Sequence, residues 1–444
     1  MGKQKVKLTH LQSSTQLIHL GDIKVLTDPW LTDGEYYGSW YHYPPFGEGN
    51  LKSLDYDYIY VSHIHPDHLS EKTFKALPKK KPVLIHNYDT KFVKRKIEMF
   101  GFEVIECDNG IPYMFENGGS ITIYAADNCN PEICGKFMGC GVVEKKFGST
   151  QIDSLALFEI NENSILNTND CPYELASHTI KANKLDEKNI DLLLVGYAGA
   201  GPYPQCFEFD NIEDKVNAAK AKELQFLKHA VNYIKLLRPV CFAPFAGTYQ
   251  LGSRFASLTD FRGVPSVSYA TQFLNDVVVE VSNGIHLEMF DSYDCESKIL
   301  TKSGNAFPLT KEQYIKEISN KPLDYDIDNW DDAELGELIE AAYKRFKSKA
   351  EEIELNSNTQ LIIRSNKVAF QLSINHTAKI IPLDSKLNEP FVRIDVDHNL
   401  LHRLLRGPRY AHWNNAEIGS HLKYLRKPNI FERGLYHCMC FLHK

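Results

Sequence analysis

No apolar run in this chain reaches the length of a membrane span, and none follows the lysine-rich start at residues 1–7. The expectation is a chain with neither a secretory leader nor a transmembrane helix. No pair of its ten cysteines shows the CxxC spacing of a structural zinc site. Thiols scattered in this way are expected to be reduced, which points to the cytoplasm. Positive charge is not in excess either: the formal net charge is -7. Phosphate neutralisation needs a basic surface, so a nucleic-acid partner is not expected. The lysine run Lys79-Lys80-Lys81 reads as a solvated turn. Internal repeats and low-complexity segments are absent as well.

What remains is an ordinary globular composition, 43% hydrophobic and 24% charged, spread over 444 residues. That length exceeds what one hydrophobic core usually supports, so a large domain with a smaller companion is expected. Strand patterns alternate with short helices through the first half. Runs at 5–20, 24–28, 58–62, 82–86, 120–124, 154–160 and 164–170 are β-branched or aromatic, and several end on a polar side chain. Residues 191–195 are nearly continuous apolar sequence, as in a strand buried on both faces. A long helix is predicted from Ile212 to Leu237, with Leu224, Leu227, Val231, Ile234 and Leu237 on one face and Arg238-Pro239 closing it. The class that fits is α+β, an αββα sandwich with a site along one edge. The boundaries expected are 1–300 for a catalytic domain and 301–444 for a smaller α+β domain. In the latter, an acidic helix is predicted over 329–356, a hairpin through 365–367, and a strand at 391–396 leading into a helix that ends at Arg406.

The chemistry concentrates after the strand at 58–62, in His63-Ile64-His65-Pro66-Asp67-His68. Side chains two apart in a strand leave on one side, so His63 and His65 can reach one metal. Asp67 and His68 follow in the turn and can face a second. Paired metals of this kind sit ~3.5–4 Å apart and share an attacking oxygen.

Several ordered segments carry a resemblance. They are Thr27-Asp28-Pro29-Trp30-Leu31, the run from Val61 to Ser70, Ile165-Leu166-Asn167-Thr168-Asn169-Asp170-Cys171 and Pro244-Phe245-Ala246-Gly247. Together they resemble the metallo-β-lactamase-like part of the CMP-N-acetylneuraminate hydroxylase family and its bacterial relatives. Tyr197-Ala198-Gly199-Ala200-Gly201 and the run His412 to Gly419 are similar to the family more loosely. The resemblance implies the metallo-β-lactamase fold and metal ligands at His63, His65, Asp67, His68 and Asp170. It implies that Asp28 orients the histidine cluster from behind. It also implies catalytic roles for Asp67 and Asp170.

Two departures from the family stand out. A third-motif histidine would fall on Asn130, a poor ligand, leaving Asp127 or Glu132 as substitute carboxylates. Carboxylate-plus-imidazole sites suit non-haem iron, and histidine-rich tetrahedral ones suit zinc. The nearby Cys129, Cys134 and Cys140 flank the site, and a loop thiol is the plainer reading of each. The second departure is electronic: the family's Rieske centre needs a CxH and a CxxH pair, and the chain offers only Cys440-Phe441-Leu442-His443. An oxygenase would therefore draw electrons from a separate protein.

Three functions follow from these readings. The favoured one is an iron-dependent oxygenase hydroxylating a sugar nucleotide or similar anionic small molecule, with one or two metal ions. The second is a hydrolase of an ester, phosphodiester or amide, with zinc or manganese, in which Asp67 or Asp170 handles the proton. The third is a binding protein with a decayed site. The aromatic loop 33–50 reads equally as a wall of the site or as core. Arg254 reads as an anion contact or as a surface arginine.

Overall fold

The computed structural model describes residues 5–130, 132–133, 153–375 and 377–444. Two sheets face each other in the first three hundred residues. The first has eight strands in the order Ile299–Thr301, Ser292–Asp294, Val6–Gln12, Thr15–Leu20, Ile23–Thr27, Tyr58–Tyr60, Val83–His86 and Val104–Cys107. The second has seven, ordered Asn283–Gly284, Cys241–Phe245, Leu192–Gly196, Asn163–Asn167, Ser154–Ile160, Ser120–Ala125 and Pro112–Met114.

Residue alternation explains how these strands serve two cores. Leu192 and Leu194 point between the sheets, where they join Val25, Tyr60, Ile123 and Phe158. Leu193 and Val195 point outward and pack beneath the helices Tyr173–Ala182, Ile212–Leu237 and Val267–Val278. Both faces are covered, so the run 191–195 has no reason to alternate with polar residues. The first sheet is covered in the same way by Phe74, Val93 and Ile97 from the helices Glu71–Ala76 and Phe92–Met99. The fold is α+β, with helices outside two facing sheets. The long helix ends where Arg238 turns left-handed (φ 47°) and donates its N–H to Ile234.

The C-terminal part builds a five-stranded sheet, Lys379–Ile381, Ala369–Leu372, Gln360–Arg364, Phe391–Val396 and Leu422–Lys427. Helices Leu335–Glu352, His398–Arg406 and Arg433–Met439 pack around it. The hairpin turns at 365–368, where Ser365 N–H donates to Val368 at 2.8 Å. The acidic helix starts later than its periodicity predicts, at Leu335, because Asp331 caps a separate 3₁₀ turn at Asp332–Glu334. Cys206 and Phe207, far earlier in the chain, belong to this same core. Phe207 stacks on Tyr424 at 4.7 Å, and Tyr424 exchanges backbone hydrogen bonds with Cys206 and Glu208, both 2.8 Å. Among the described residues, no helix is long and apolar enough to cross a membrane.

Phe158 is fully buried between the sheets, edge-on to Tyr60. Truncating an aromatic residue in such a place costs the transfer energy and leaves a cavity. Phe158→Ala is expected to lower unfolding stability by about 3–5 kcal/mol in denaturant titration. A loss below about 1 kcal/mol would contradict tight packing between the sheets.

Candidate metal centre

Asp28 ends the strand Ile23–Thr27 in a left-handed conformation (φ 42°) and is wholly buried. Its Oδ1 accepts the Ser62 N–H at 2.7 Å, and its Oδ2 accepts the Ser62 hydroxyl and His68 Nδ1–H, both at 2.8 Å. The parallel pairing of Ile23–Thr27 with Tyr58–Tyr60 brings the two strand ends together and makes this contact possible. With Nδ1 committed to Asp28, His68 presents Nε2 to the front. That atom is buried and meets no hydrogen-bond geometry among the described residues. It faces Asp170 Oδ2 at 3.4 Å and Asp67 Oδ2 at 3.6 Å.

His63 is held by the same logic. Its Nδ1 lies 2.9 Å from the Ser62 hydroxyl and 3.3 Å from Asp153 Oδ1, which leaves Nε2 facing inward. Nε2 of His63 meets Nδ1 of His65 at 2.8 Å, and His65 Nε2 is 3.0 Å from the Asn414 side-chain oxygen. Asp67 accepts a hydrogen bond from the Tyr36 hydroxyl, and its carbonyl accepts one from Ser14 at 2.7 Å. Ligating atoms of His63, His68 and Asp170 all lie within 4.8 Å of one another.

The electrostatics follow from this crowding. Burial opposes charge on His68, yet Asp170, Asp28 and Asp67 hold its pKa well above the ordinary imidazole value. Burial likewise opposes charge on His63, and Asp153 reverses it, so that pKa is raised too. His65 has no such support: burial, then the neighbouring His63, push it down to about 4. For Asp170, whose side chain is 40% exposed, partial desolvation works upward, but His68 holds the carboxyl well below the usual range. Three imidazoles and two carboxylates thus converge around the buried His68 Nε2, a donor set that fits one or two divalent transition metals.

Other residues singled out from sequence lie elsewhere. Asn130 is exposed, and its side-chain oxygen accepts the Glu132 N–H in a local turn. Glu132 is exposed too. Asp127 is buried, with Oδ1 accepting the Cys129 N–H and Oδ2 without a hydrogen bond among the described residues, and it falls outside the three-residue cluster. Cys129 Sγ lies 3.7 Å from His86, while Cys134 and Cys140 lie outside the described residues. Arg254 is paired with Asp326 at 2.9 Å and Asp397 at 3.1 Å. In the aromatic loop, Tyr36 and Trp40 pack with Trp30 and Tyr249.

Sequence reading missed Asp153 and Asn414. Asp153 touches His63 and also accepts the Asp170 N–H through Oδ2 at 2.6 Å. Its signal was a carboxylate directly before an apolar strand. Asn414 lies in the helix Trp413–Ile418, within the run His412 to Gly419 that carries the looser resemblance.

Residues 7–130 match the family model described as "Beta-lactamase superfamily domain". The chain is also similar to cytidine monophosphate-N-acetylneuraminic acid hydroxylases. The Danio rerio protein is 25% identical over 256 residues, covering 55% of this chain and 38% of its own length. The Mus musculus protein is 26% identical over 255 residues, covering 55% and 39%. The matched region therefore spans about two fifths of these relatives. Among solved structures, the diiron β-hydroxylase CmlA from Streptomyces venezuelae aligns with a TM-score of 0.40 at 14% identity, over 66% of this chain and 54% of that one. The metallo hydrolase Igni18 from Ignicoccus hospitalis aligns at 0.37 and 13%, over 65% and 98%.

Burial raises the Asp127 carboxyl to about 6. An acid whose folded pKa lies above its unfolded one favours the folded state only while protonated. Its contribution is therefore fully present below about pH 4 and lost as pH rises towards 6. Asp127→Asn is expected to flatten the fall in stability across that window, read as unfolding midpoints at several pH values. Parallel curves for the two proteins would show that Asp127 does not titrate there.

Proposed function

We propose that this chain is a metal-dependent enzyme, an iron-dependent oxygenase that hydroxylates a sugar nucleotide or a similarly anionic metabolite. The observation that carries the metal dependence is the buried Nε2 of His68, which faces the carboxylates of Asp170 and Asp67 at 3.4 and 3.6 Å beside His63. The residues that would hold the metal are His63 through Nε2, His65 through Nδ1, Asp67, His68 through Nε2, and Asp170. A bound iron supplies the oxygen-activating chemistry, with electrons from a separate protein. The oxygenase reading draws on the sequence similarity to hydroxylases over 55% of the chain and on the presence of carboxylate donors beside the imidazoles.

The protein's own groups have distinct tasks. Asp28 and Ser62 keep the Nδ1–H tautomer of His68, Asp153 does so for His63, and Asn414 holds the outer nitrogen of His65. Asp67 and Asp170 are the carboxylates that accept or return a proton at the reacting centre. An anionic substrate is supported by Arg262. Its guanidinium is buried, and its Nε and Nη1 make no hydrogen bond among the described residues. It lies 4.2 Å over the Tyr249 ring, which stacks on Trp40 at 3.3 Å, next to the Tyr36 that binds Asp67. Burial, then the Arg262 charge, push the nearby Lys222 down to about 7. A buried cation without an anion is costly, and a substrate phosphate or carboxylate would offset that cost.

The three imidazoles also suit zinc, and with zinc the same cluster would serve hydrolysis. Metal analysis separates the readings. Protein purified without a chelating tag is expected to hold about one or two iron ions per chain, and Asp170→Ala to lose most of them. Zinc in their place would favour the hydrolase. A wild type retaining no more metal than Asp170→Ala would end the claim of a working centre.

The anion contact has its own test. Arg262→Met is expected to weaken binding of CMP-N-acetylneuraminate, used as a representative sugar nucleotide, by about tenfold or more in calorimetry. Equal affinity would remove Arg262 from the substrate site.

A further inference from the structure

Far along the chain from the His63 cluster, a second group of metal-binding side chains converges. His398 and His402 stand four residues apart on the helix His398–Arg406, so both imidazoles leave the same face. Their ring centroids are 4.9 Å apart. Both Nε2 atoms aim at a single oxygen, Asp332 Oδ1, at 2.7 Å from His398 and 3.0 Å from His402. All three ligating atoms fall within 4.8 Å of one another. The histidines are 7% and 0% exposed, whereas the Asp332 side chain is 46% exposed, so the group has a dry floor and a wet mouth.

The surroundings hold the rings in place. The Ser365 hydroxyl lies 3.0 Å from His398 Nδ1 and accepts the N–H groups of Lys367 and Val368, both at 3.2 Å. The Trp330 ring lies parallel to that of His402, 8° between planes and 6.0 Å between centroids. Arg406 sits over Trp330 at 4.5 Å. On the solvent side, Lys367 Nζ is 3.2 Å from Asp332 Oδ2, so part of the carboxylate charge is already met.

We propose that Asp332, His398 and His402 form a second metal site, for a divalent transition-metal ion of the zinc type, in the C-terminal part of the chain. Two imidazoles on one helical face and one carboxylate are donors that zinc takes at ~2.0–2.2 Å, commonly with a fourth position left to water. The exposed side of Asp332 gives that position access to solvent. The ion would tie the 3₁₀ turn at Asp332–Glu334, and so the start of the helix Leu335–Glu352, to the helix His398–Arg406. Its role is structural, and it does not depend on the reading of the first centre.

The experiment is a zinc chloride titration of the full chain after chelator treatment, with bound zinc counted after gel filtration. Run in a His63→Ala/His68→Ala background, it reports on the second site alone. About one zinc per chain is expected there, with a rise in the thermal unfolding midpoint on zinc addition. Adding Asp332→Asn should abolish that rise and weaken binding about tenfold or more. Should the double-alanine background fail to fold, Asp332→Asn in the wild type decides, because Asp332 lies at the surface. One fewer zinc than wild type supports the site, and equal zinc overturns it.

Discussion

The candidate centre hangs on one buried carboxylate. Asp28 accepts a backbone N–H and a hydroxyl from Ser62 and the Nδ1–H of His68, and these contacts join the ends of two parallel strands. A buried carboxylate is tolerable only when its lone pairs are met, and here the groups that meet them belong to the histidine run itself. The stabilising contact and the orienting contact are therefore the same one. Removing Asp28 would loosen the strand junction and release the tautomer of His68 together. Its left-handed backbone, unusual away from glycine, shows how closely the chain is constrained at this turn.

Much of this was legible in the sequence, for a physical reason. Period-two alternation, the continuous apolar run at 191–195 and the HxHxDH cluster are local properties, and local properties survive reading without a structure. Asp153 is not legible from strand endings, because an antiparallel strand brings its beginning to the edge where its neighbour ends. Pairing Ala156 with Asn167 places the start of Ser154–Ile160 beside the end of Asn163–Asn167, and so Asp153 beside Asp170. Register and direction decide that juxtaposition, and neither is written in a single strand. Asn130 shows the converse. Sequence alignment put it in a ligand position, and a local turn holds it at the surface instead.

The C-terminal part was legible as a set of elements but not as a neighbour of the metal centre. Asn414 reaches His65 across 349 positions of chain. Around it, His412 N–H donates to the Tyr37 hydroxyl at 2.8 Å, and His421 Nε2 donates to the Tyr36 carbonyl at 2.7 Å. These bonds fasten Tyr37 and Tyr36 of the aromatic loop to the C-terminal part, and Tyr36 binds Asp67. Contacts of that span depend on how two sheets dock, which no periodicity encodes. They give the C-terminal part a physical share in the geometry of the histidines, beyond packing its own core.

Charge balance carries the reasoning one step further. Asp28, Asp67, Asp153 and Asp170 surround three imidazoles, and all but Asp170 are buried. Carboxylates so placed need positive charge nearby, since the low-polarity interior strengthens every uncompensated interaction. Protons on His68 and His63 supply it in the protein alone, which is why both are held above the ordinary value despite burial. His65 stays neutral because burial and the neighbouring His63 charge both oppose its protonation. A divalent cation among the same groups would take over the role of those protons, and its binding would release them. The arrangement of four acids behind and beside three histidines is thus one that burial alone would disfavour and that a bound metal would make favourable.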